Sequence, residues 1–163
     1  MKYAIIIVFY FLYWGICFLA TGSDKKNLAG LRSYPESVQK KVREQGLVKE
    51  DKKAPSIPSI LIGNTLLFTV VFSVIGLVFR KTLAFDGYLD AFLYFLVFGE
   101  GLGLFDLVII DLLWWRNTKR IRFSFIPDKS EYRNPEKHLG SFWRGIPLFA
   151  AVAALTALVV TLF

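Results

Sequence analysis

Long apolar runs separated by polar, charged segments dominate this chain, and four of the runs are long enough to cross a lipid bilayer. They cover about residues 3–20, 57–79, 88–115 and 142–163. Spanning the hydrocarbon core takes about 20 apolar residues, a length that the first run only just reaches. The pattern predicts an all-α, polytopic membrane protein, in which a bundle of four transmembrane helices forms a single domain over residues 1–163.

The composition agrees with this fold class. Of the 163 residues, 55% are hydrophobic and 17% are aromatic, and the mean hydropathy is +0.48. These values are typical of a multi-pass membrane protein rather than of a soluble domain.

Basic residues are distributed unevenly between the apolar runs. The first polar segment, residues 21–56, holds nine lysines and arginines, the second, residues 116–141, holds seven, and Arg144 adds one. The opposite side has only Lys2, Arg80 and Lys81. The positive-inside rule therefore predicts that both polar segments are cytoplasmic and both termini are outside. The net charge of +7 then indicates contact with anionic lipid headgroups, not with nucleic acid.

The first apolar run could alternatively be a signal peptide. Its basic region contains only Lys2, and the small-residue cleavage pattern is missing near Thr21, so we expect a retained helix. The single cysteine, Cys17, cannot form an internal disulfide, and the single histidine, His138, excludes a histidine-based metal cluster within one chain. We expect neither a metal ion nor a cofactor.

The first polar segment contains the signals of a short amphipathic helix. Ser33 can cap it, Glu36 three residues later completes a capping box, and Pro35 fits the first turn. Gly46 is a suitable stop.

One face of this predicted helix is apolar. Tyr34, Val38 and Val42 recur every four residues and form a narrow stripe. The helix could therefore lie on the inner membrane surface or dock on the second polar segment.

The second polar segment begins with alternating apolar and polar residues. Ile121, Phe123 and Phe125 alternate with Arg122 and Ser124, which predicts a short β-strand before a proline. The rest of this segment is polar and is predicted to be an exposed loop.

Three acidic residues lie inside the third apolar run: Glu100, Asp106 and Asp111. A charged residue at the centre of a membrane helix costs about 2.5–3.5 kcal/mol on insertion scales. Two interpretations remain open: the acids are buried against protein partners, or they handle protons or cations.

The spacing of these acids argues against a metal site. On an α-helix, Glu100 and Asp111 share a face about 16 Å apart, and Asp106 lies roughly 120–140° away from both. Asp106 and Asp111 should therefore not converge on a metal ion. Candidate polar partners on other elements are Asn64, at a similar depth, and, for Asp111, the basic residues Arg116, Lys119 and Arg144.

Three glycines surround Glu100, and two of them, Gly99 and Gly103, form a GxxxG pair. Such a pair permits close helix approach, with a protonated Glu100 packed against a neighbour. Alternatively, the glycines could break the helix and expose carbonyl groups beside a functional Glu100, as in ion-coupled transporters.

The fourth apolar run has a face of small residues. Ala150, Ala154 and Ala157 follow helical spacing, and Ala153 with Ala157 repeats it. We expect this face to pack against another helix, either in the same chain or in a second copy or partner subunit.

Three short motifs carry a resemblance to a known family. The sequences YPESVQ, FDLVIIDLLWW and FSFIP resemble those of small bacterial membrane proteins with four helices and no established activity. The resemblance implies a bacterial inner-membrane setting and assigns no catalytic residue.

The sequence favours a non-enzymatic membrane protein, a transport-associated or assembly component with Glu100 as a proton- or cation-responsive acid. The alternative is a membrane enzyme acting on a lipid or lipid-linked substrate near the inner headgroups. Its acidic and polar residues would be Asp106, Asp111 and Asn64, and its phosphate-binding residues Arg116, Lys119, Arg120 and Arg122. No recognisable catalytic motif supports it. A third possibility is a sensor whose polar segments contact a soluble partner.

Overall fold

The computed structural model describes residues 2–48 and 56–163. These residues form an all-helical structure in which no β-strand occurs. Residues 49–55, which include three of the basic residues counted in the first polar segment, lie outside the described residues.

Seven α-helices occur in the described residues: α1 (Lys2–Leu19), α2 (Asp24–Ala29), α3 (Glu36–Glu44), α4 (Ile57–Val78), α5 (Arg80–Leu83), α6 (Gly87–Phe105) and α7 (Glu136–Leu162). A π-helix, here called the π segment, continues α6 over Asp106–Trp115. Short 3-10 helices cover Leu31–Ser33 and Lys129–Tyr132. Four helical stretches are long and apolar enough to cross a membrane, which confirms the predicted helical class and number of candidate spans. The helix of the fourth candidate span, α7, begins at Glu136, earlier than the predicted start at 142.

The chain divides into two compact units. The helical unit consists of residues 2–9, 56–104 and 143–163, and the loop unit consists of residues 10–48 and 105–142. The three predicted acids are divided between them, because Glu100 belongs to the helical unit and Asp106 and Asp111 belong to the loop unit.

Aromatic rings form the core of the helical unit. Phe72 on α4 stacks on Phe98 of α6, with ring centroids 4.4 Å apart and planes at 15°. Phe95 and Phe149 also stack on Phe72. Stacked and edge-to-face rings are favourable beyond the area that they bury.

Small residues bring the helices of this unit close together. A Cβ atom at Gly99 would lie 2.7 Å from the Phe149 ring, so this glycine provides the close approach that the GxxxG pair predicts. Gly103, its partner in the pair, is only partly buried. On α7, Ala157 is fully buried, whereas Ala150 and Ala154 are partly buried. The helix α6 continues through Gly99, Gly101 and Gly103, so the alternative of a break beside Glu100 is wrong.

The core of the loop unit joins the two polar segments. The predicted stripe of Tyr34, Val38 and Val42 is completely buried. It packs against Leu31, Trp115, Ile121, Phe123, Ile126 and Tyr132. Of the two placements left open for α3, the structure has the one in which it docks on the second polar segment.

The start of α3 differs from the predicted capping box. The helix begins at Glu36 with Pro35 at the N-cap position, and no side chain caps it. Ser33 instead ends the preceding 3-10 helix, and Tyr34 follows it with an extended backbone. The predicted stop is confirmed: Gly46 has φ +68° and donates to the Arg43 carbonyl over 2.8 Å.

The predicted strand at 121–125 is wrong, and side chains explain how this irregular stretch is stabilised. Ile121 and Phe123 are buried, as the alternation suggests, but the chain turns between them. The Tyr34 hydroxyl donates to the Ile121 carbonyl over 2.8 Å, and the Phe123 amide donates to the Tyr132 hydroxyl over 3.0 Å. Buried backbone groups need partners, and two tyrosines supply them in place of a neighbouring strand.

Candidate functional site

The π segment gives the two aspartates a geometry that the sequence analysis did not anticipate. Its ten residues run from Asp106 to Trp115. In a π-helix the hydrogen bonds join residues five apart, instead of four. Asp106 and Asp111 are five apart and therefore lie on successive turns, whereas an α-helix would separate them by about 140°. The angle used to predict that they do not converge on a metal ion assumed α-helical geometry, which this stretch does not have.

Asp111 is paired with the only histidine of the chain. The Asp111 Oδ2 and His138 Nδ1 atoms are 2.7 Å apart, and the two side chains are only 13% and 12% exposed. The sequence prediction had named Arg116, Lys119 and Arg144 as candidate partners of Asp111 and did not include His138. Arg116 instead donates hydrogen bonds from its guanidinium group to the Arg133 carbonyl.

Asp106 faces polar groups of α1. The Tyr13 side chain is hydrogen bonded to Asp106, and Cys17 is hydrogen bonded to Tyr13. Tyr13 and Cys17 are four residues apart, so they share one face of α1. Asp111 and His138 are also close enough to act electrostatically on Asp106.

These contacts define one group of five titratable side chains: Tyr13, Cys17, Asp106, Asp111 and His138. Three separate elements contribute to the group: α1, the π segment and the first turn of α7. We call it the carboxylate–imidazole centre.

The Trp115 ring links the centre to the core of the loop unit. The rings of Trp115 and His138 are 5.9 Å apart, and those of Trp115 and Tyr34 are 5.1 Å apart. Trp115 is also the last residue of the π segment. The side chain that ends the segment therefore contacts both the histidine of the centre and the stripe of α3.

Three other predicted site residues belong to the helical unit. Glu100 lies on α6 in the helical unit, is partly exposed, and forms no ion pair within residues 2–48 and 56–163. Asn64 and Arg144 also belong to the helical unit, and both are exposed. Within the part of the chain that the structure describes, no group of three or more metal-ligating side chains is arranged to hold a metal ion.

Three members of the centre were not predicted from the sequence. Tyr13 is part of an apolar run, and Cys17 and His138 are each the only residue of their type. The available signal was the four-residue spacing of Tyr13 and Cys17, two polar side chains on one face of an otherwise apolar helix. No comparable local pattern marks His138, because its partner Asp111 is distant in sequence.

At the end of α1, basic side chains bind free carbonyl groups. The Arg120 guanidinium donates to the Phe18 and Thr21 carbonyls, each over 3.0 Å, and lies 3.7 Å from the Phe18 ring centre. Lys26 donates to the Leu19 carbonyl over 2.9 Å. Cations at this position satisfy the last carbonyls of a helix and complement its dipole.

Comparisons with protein-family models, with curated proteins and with solved structures found no match for this chain. The geometry of the carboxylate–imidazole centre therefore provides the basis for a functional proposal.

Proposed function

We propose that this chain is a small multi-pass membrane protein, a transport-associated or membrane-assembly component, whose carboxylate–imidazole centre takes up and releases protons. The observation that carries the proposal is the 2.7 Å contact between Asp111 and His138 in a largely buried position. Histidine is the side chain whose ordinary titration lies nearest to physiological pH, and a carboxylate partner controls which ring nitrogen holds the proton. Ionisable groups within apolar spans are costly and commonly functional.

The structure changes which acid is the leading candidate. Glu100, the candidate that the sequence favours, has no ion pair among the described residues, and its helix is continuous. Asp111 and Asp106 instead have specific partners on two other helices. A proton that binds to this centre therefore affects several elements, whereas a proton on Glu100 has no such set of contacts to change.

The membrane orientation is part of this proposal. The excess of basic residues in the two polar segments favours a cytoplasmic location for the loop unit, with both termini outside. Trp14 and Trp114 pack together at 6.2 Å, near the end of α1 where Arg120 and Lys26 bind carbonyl groups. Aromatic and basic side chains are typical of a membrane–water interface, where they would meet anionic lipid headgroups.

The setting and partners rest on the sequence. The family resemblance favours a bacterial inner membrane, and exposed apolar side chains on α1 and α4 are available to lipid, to a second copy or to a partner subunit.

Infrared spectroscopy of the protein in lipid tests the proposed centre directly. We expect a carboxyl band that titrates between about pH 5 and 9, where functional groups are commonly tuned. Asp106→Asn should remove this band, and Asp111→Asn, which removes a charge close to Asp106, should shift it, while Glu100→Gln should leave it unchanged. A band lost only in Glu100→Gln would return the role to Glu100. The absence of any titrating carboxyl band would exclude a proton-handling centre.

Because the chain has a single histidine, NMR can observe the proposed pair without overlap from other histidines. Selective labelling of histidine with ¹⁵N gives NMR signals from His138 alone. We expect Nδ1 to carry a proton that is hydrogen bonded to a carboxylate, and we expect that signature to disappear in Asp111→Asn. An Nδ1 signal that is identical in wild type and Asp111→Asn would contradict the proposed pair.

The same contact favours a second candidate function, a membrane enzyme acting on a lipid or lipid-linked substrate. In this function, Asp111 accepts a hydrogen bond from the Nδ1–H group of His138. The unprotonated Nε2 atom is then free to act as a general base for a substrate hydroxyl or water. Lipid turnover by the reconstituted protein, lost in His138→Gln and kept in Glu100→Gln, would support this function. Turnover that His138→Gln does not alter would exclude the histidine as its base.

A further inference from the structure

Helix α4 has an exposed face that follows the seven-residue repeat of a coiled coil. In this repeat, whose positions are named a to g, the a positions are Ile57, Asn64, Val71 and Val78, and the d positions are Ile60, Leu67 and Val74. We call these side chains the α4 seam. All of them are exposed, and the apolar members are between 41% and 70% exposed. Such a repeat keeps one narrow face of a helix directed at a partner helix.

The α4 seam points away from the packing of the chain itself. The buried residues of α4 include Phe72, Ser73 and Gly76, which occupy positions b, c and f of the same repeat. These positions lie on the side of a helix opposite to a and d. Phe72 stacks on Phe98 of α6, and a Cβ atom at Gly76 would lie 2.5 Å from Val160 of α7. Helix α4 therefore packs through one side and leaves the seam uncovered.

Asn64 is a polar residue within this seam that lipid cannot satisfy. It lies about 10 Å from the start of α4, so in the proposed membrane setting it is inside the hydrocarbon. Its side chain forms no hydrogen bond within the described residues. A polar group without a partner in an apolar medium is costly, and asparagine in a membrane helix commonly bonds to a neighbouring helix. Asn64 therefore requires a hydrogen-bonding partner on another molecule.

A second copy of this chain supplies that partner. Copies inserted in the same orientation place their α4 helices parallel, so identical a positions face each other across a two-fold axis. The Asn64 amide both donates and accepts, which allows the same residue of two copies to bond symmetrically. The a positions Val71 and Val78 are β-branched and Leu67 is at d, a combination that favours two strands. A single polar a residue then fixes the register of the two helices.

We propose that α4 is a homodimer interface, in which the seams of two copies form a parallel, left-handed coiled coil and the two Asn64 side chains bond to each other. This inference rests on the membrane setting of the proposed function, because both the parallel orientation and the cost of an unpaired amide follow from insertion in a bilayer. It does not involve the carboxylate–imidazole centre. It adds a partner, a second copy of the chain, and the surface that binds it.

Energy transfer between fluorescently labelled copies of the full chain in phosphatidylcholine vesicles tests the interface. Dilution with lipid gives the protein-to-lipid ratio at which half of the copies are dimers. We expect Asn64→Val to raise this ratio about tenfold, because an interhelical hydrogen bond is lost and valine gains little over lipid. Wild-type copies that show only the transfer of random proximity at every ratio would overturn the proposal and leave lipid or a different subunit as the occupant.

Two neighbouring leucines provide matched variants. Leu67 at position d is 59% exposed, and Leu66 at position c is 61% exposed. Leu67→Trp should weaken the dimer at least as much as Asn64→Val, because the larger ring does not fit between two closely packed helices. Leu66→Trp makes the same change beside the seam and should leave the transfer unchanged. Equal effects of the two variants, or no effect of either, would overturn the assignment of the interface to the α4 seam.

The outcomes distinguish this inference from the setting on which it rests. A protein that does not float with the vesicles in a density gradient would overturn both the membrane setting and the dimer. A protein that floats, has the titrating carboxyl band and stays monomeric would overturn the dimer alone.

Discussion

The helical unit and the loop unit are stabilised by different kinds of contact. In the helical unit, stacked rings such as Phe72 and Phe98 and close approaches such as that of Gly99 to Phe149 join the helices. In the loop unit, side chains of one polar segment bond to backbone groups of the other, as Tyr34 does to Ile121. The helical unit therefore depends on how closely its side chains fit together, whereas the irregular backbone of the loop unit depends on individual hydrogen bonds as well as on its apolar core.

The difference also separates the candidate acids. Glu100 lies in the unit that is dominated by apolar packing, whereas Asp106 and Asp111 lie in the unit that is rich in specific polar contacts. An acid whose neighbours include a histidine and a tyrosine can change several contacts when it binds a proton. The surroundings of an acid, more than its depth in an apolar run, therefore indicate what it can do.

The largest expected effect comes from placing a charge in the core of the loop unit. Val38 is fully buried in the α3 stripe, so Val38→Asp puts an unpaired charge there, which costs roughly 3–5 kcal/mol. We expect the docking of α3 to be lost, measured as rapid amide exchange in residues 34–44. Ser37→Asp is the matched control, since Ser37 is exposed on the same helix. Equal protection of α3 in the two variants would contradict the docked arrangement.

A smaller effect is expected where the helical unit depends on close approach. A Cβ added in Gly99→Ala would meet the Phe149 ring at 2.7 Å, and such overpacking typically costs about 1–3 kcal/mol. Unfolding in detergent micelles should therefore occur at lower denaturant concentration. Gly63→Ala on α4 is the control, because nothing lies within 4 Å of its added Cβ. A Gly99→Ala protein as stable as Gly63→Ala would mean that α6 and α7 are not closely packed at this position.

Much of the fold follows from sequence periodicity. Apolar run length predicts the four candidate spans, and the four-residue spacing of Tyr34, Val38 and Val42 predicts the buried face of α3. The prediction of a β-strand failed because two-residue alternation does not reveal that tyrosine hydroxyls, instead of a neighbouring strand, form hydrogen bonds with the backbone.

The centre was less predictable, for a geometric reason. Placing Asp106 and Asp111 on the third helix assumed 100° per residue, and the π segment changes that angle. His138 and Tyr13 are far apart in sequence, so no spacing rule brings them to the same aspartates. Long-range side-chain contacts of this kind require the three-dimensional structure.

Removal of the Tyr34 hydroxyl tests whether single hydrogen bonds stabilise the loop unit. Tyr34→Phe leaves the buried Ile121 carbonyl without its donor, a loss worth about 1–3 kcal/mol. We expect faster amide exchange in residues 34–44 and 121–126 and little change in the helical unit. Unchanged exchange in both stretches would show that the apolar stripe alone holds α3.

The same hydroxyl predicts a dependence of stability on alkaline pH. Burial raises the pKa of Tyr34 above its ordinary value, which is about 10. Because the folded protein binds this proton more tightly than the unfolded chain, the contribution of Tyr34 is complete below pH of about 10 and declines above it. The loop unit should therefore lose stability as the pH rises above about 10, and Tyr34→Phe should make this loss smaller. A wild type and a Tyr34→Phe variant with the same alkaline decline would assign it to other tyrosines.

The smallest effect should come from a buried hydroxyl in the helical unit. Thr156 on α7 is completely buried, and its Oγ1 atom has no hydrogen-bond partner within the described residues. Thr156→Val keeps the shape of the side chain and removes a buried polar atom that has no hydrogen bond. The free energy of unfolding should therefore rise, by less than about 1 kcal/mol. Asn27→Ala in the loop unit provides the contrast, since the buried Asn27 amide donates to the Arg120 carbonyl over 3.0 Å. If Thr156→Val were as destabilising as Asn27→Ala, hydrogen bonds would matter equally in both units, and the difference between them would disappear.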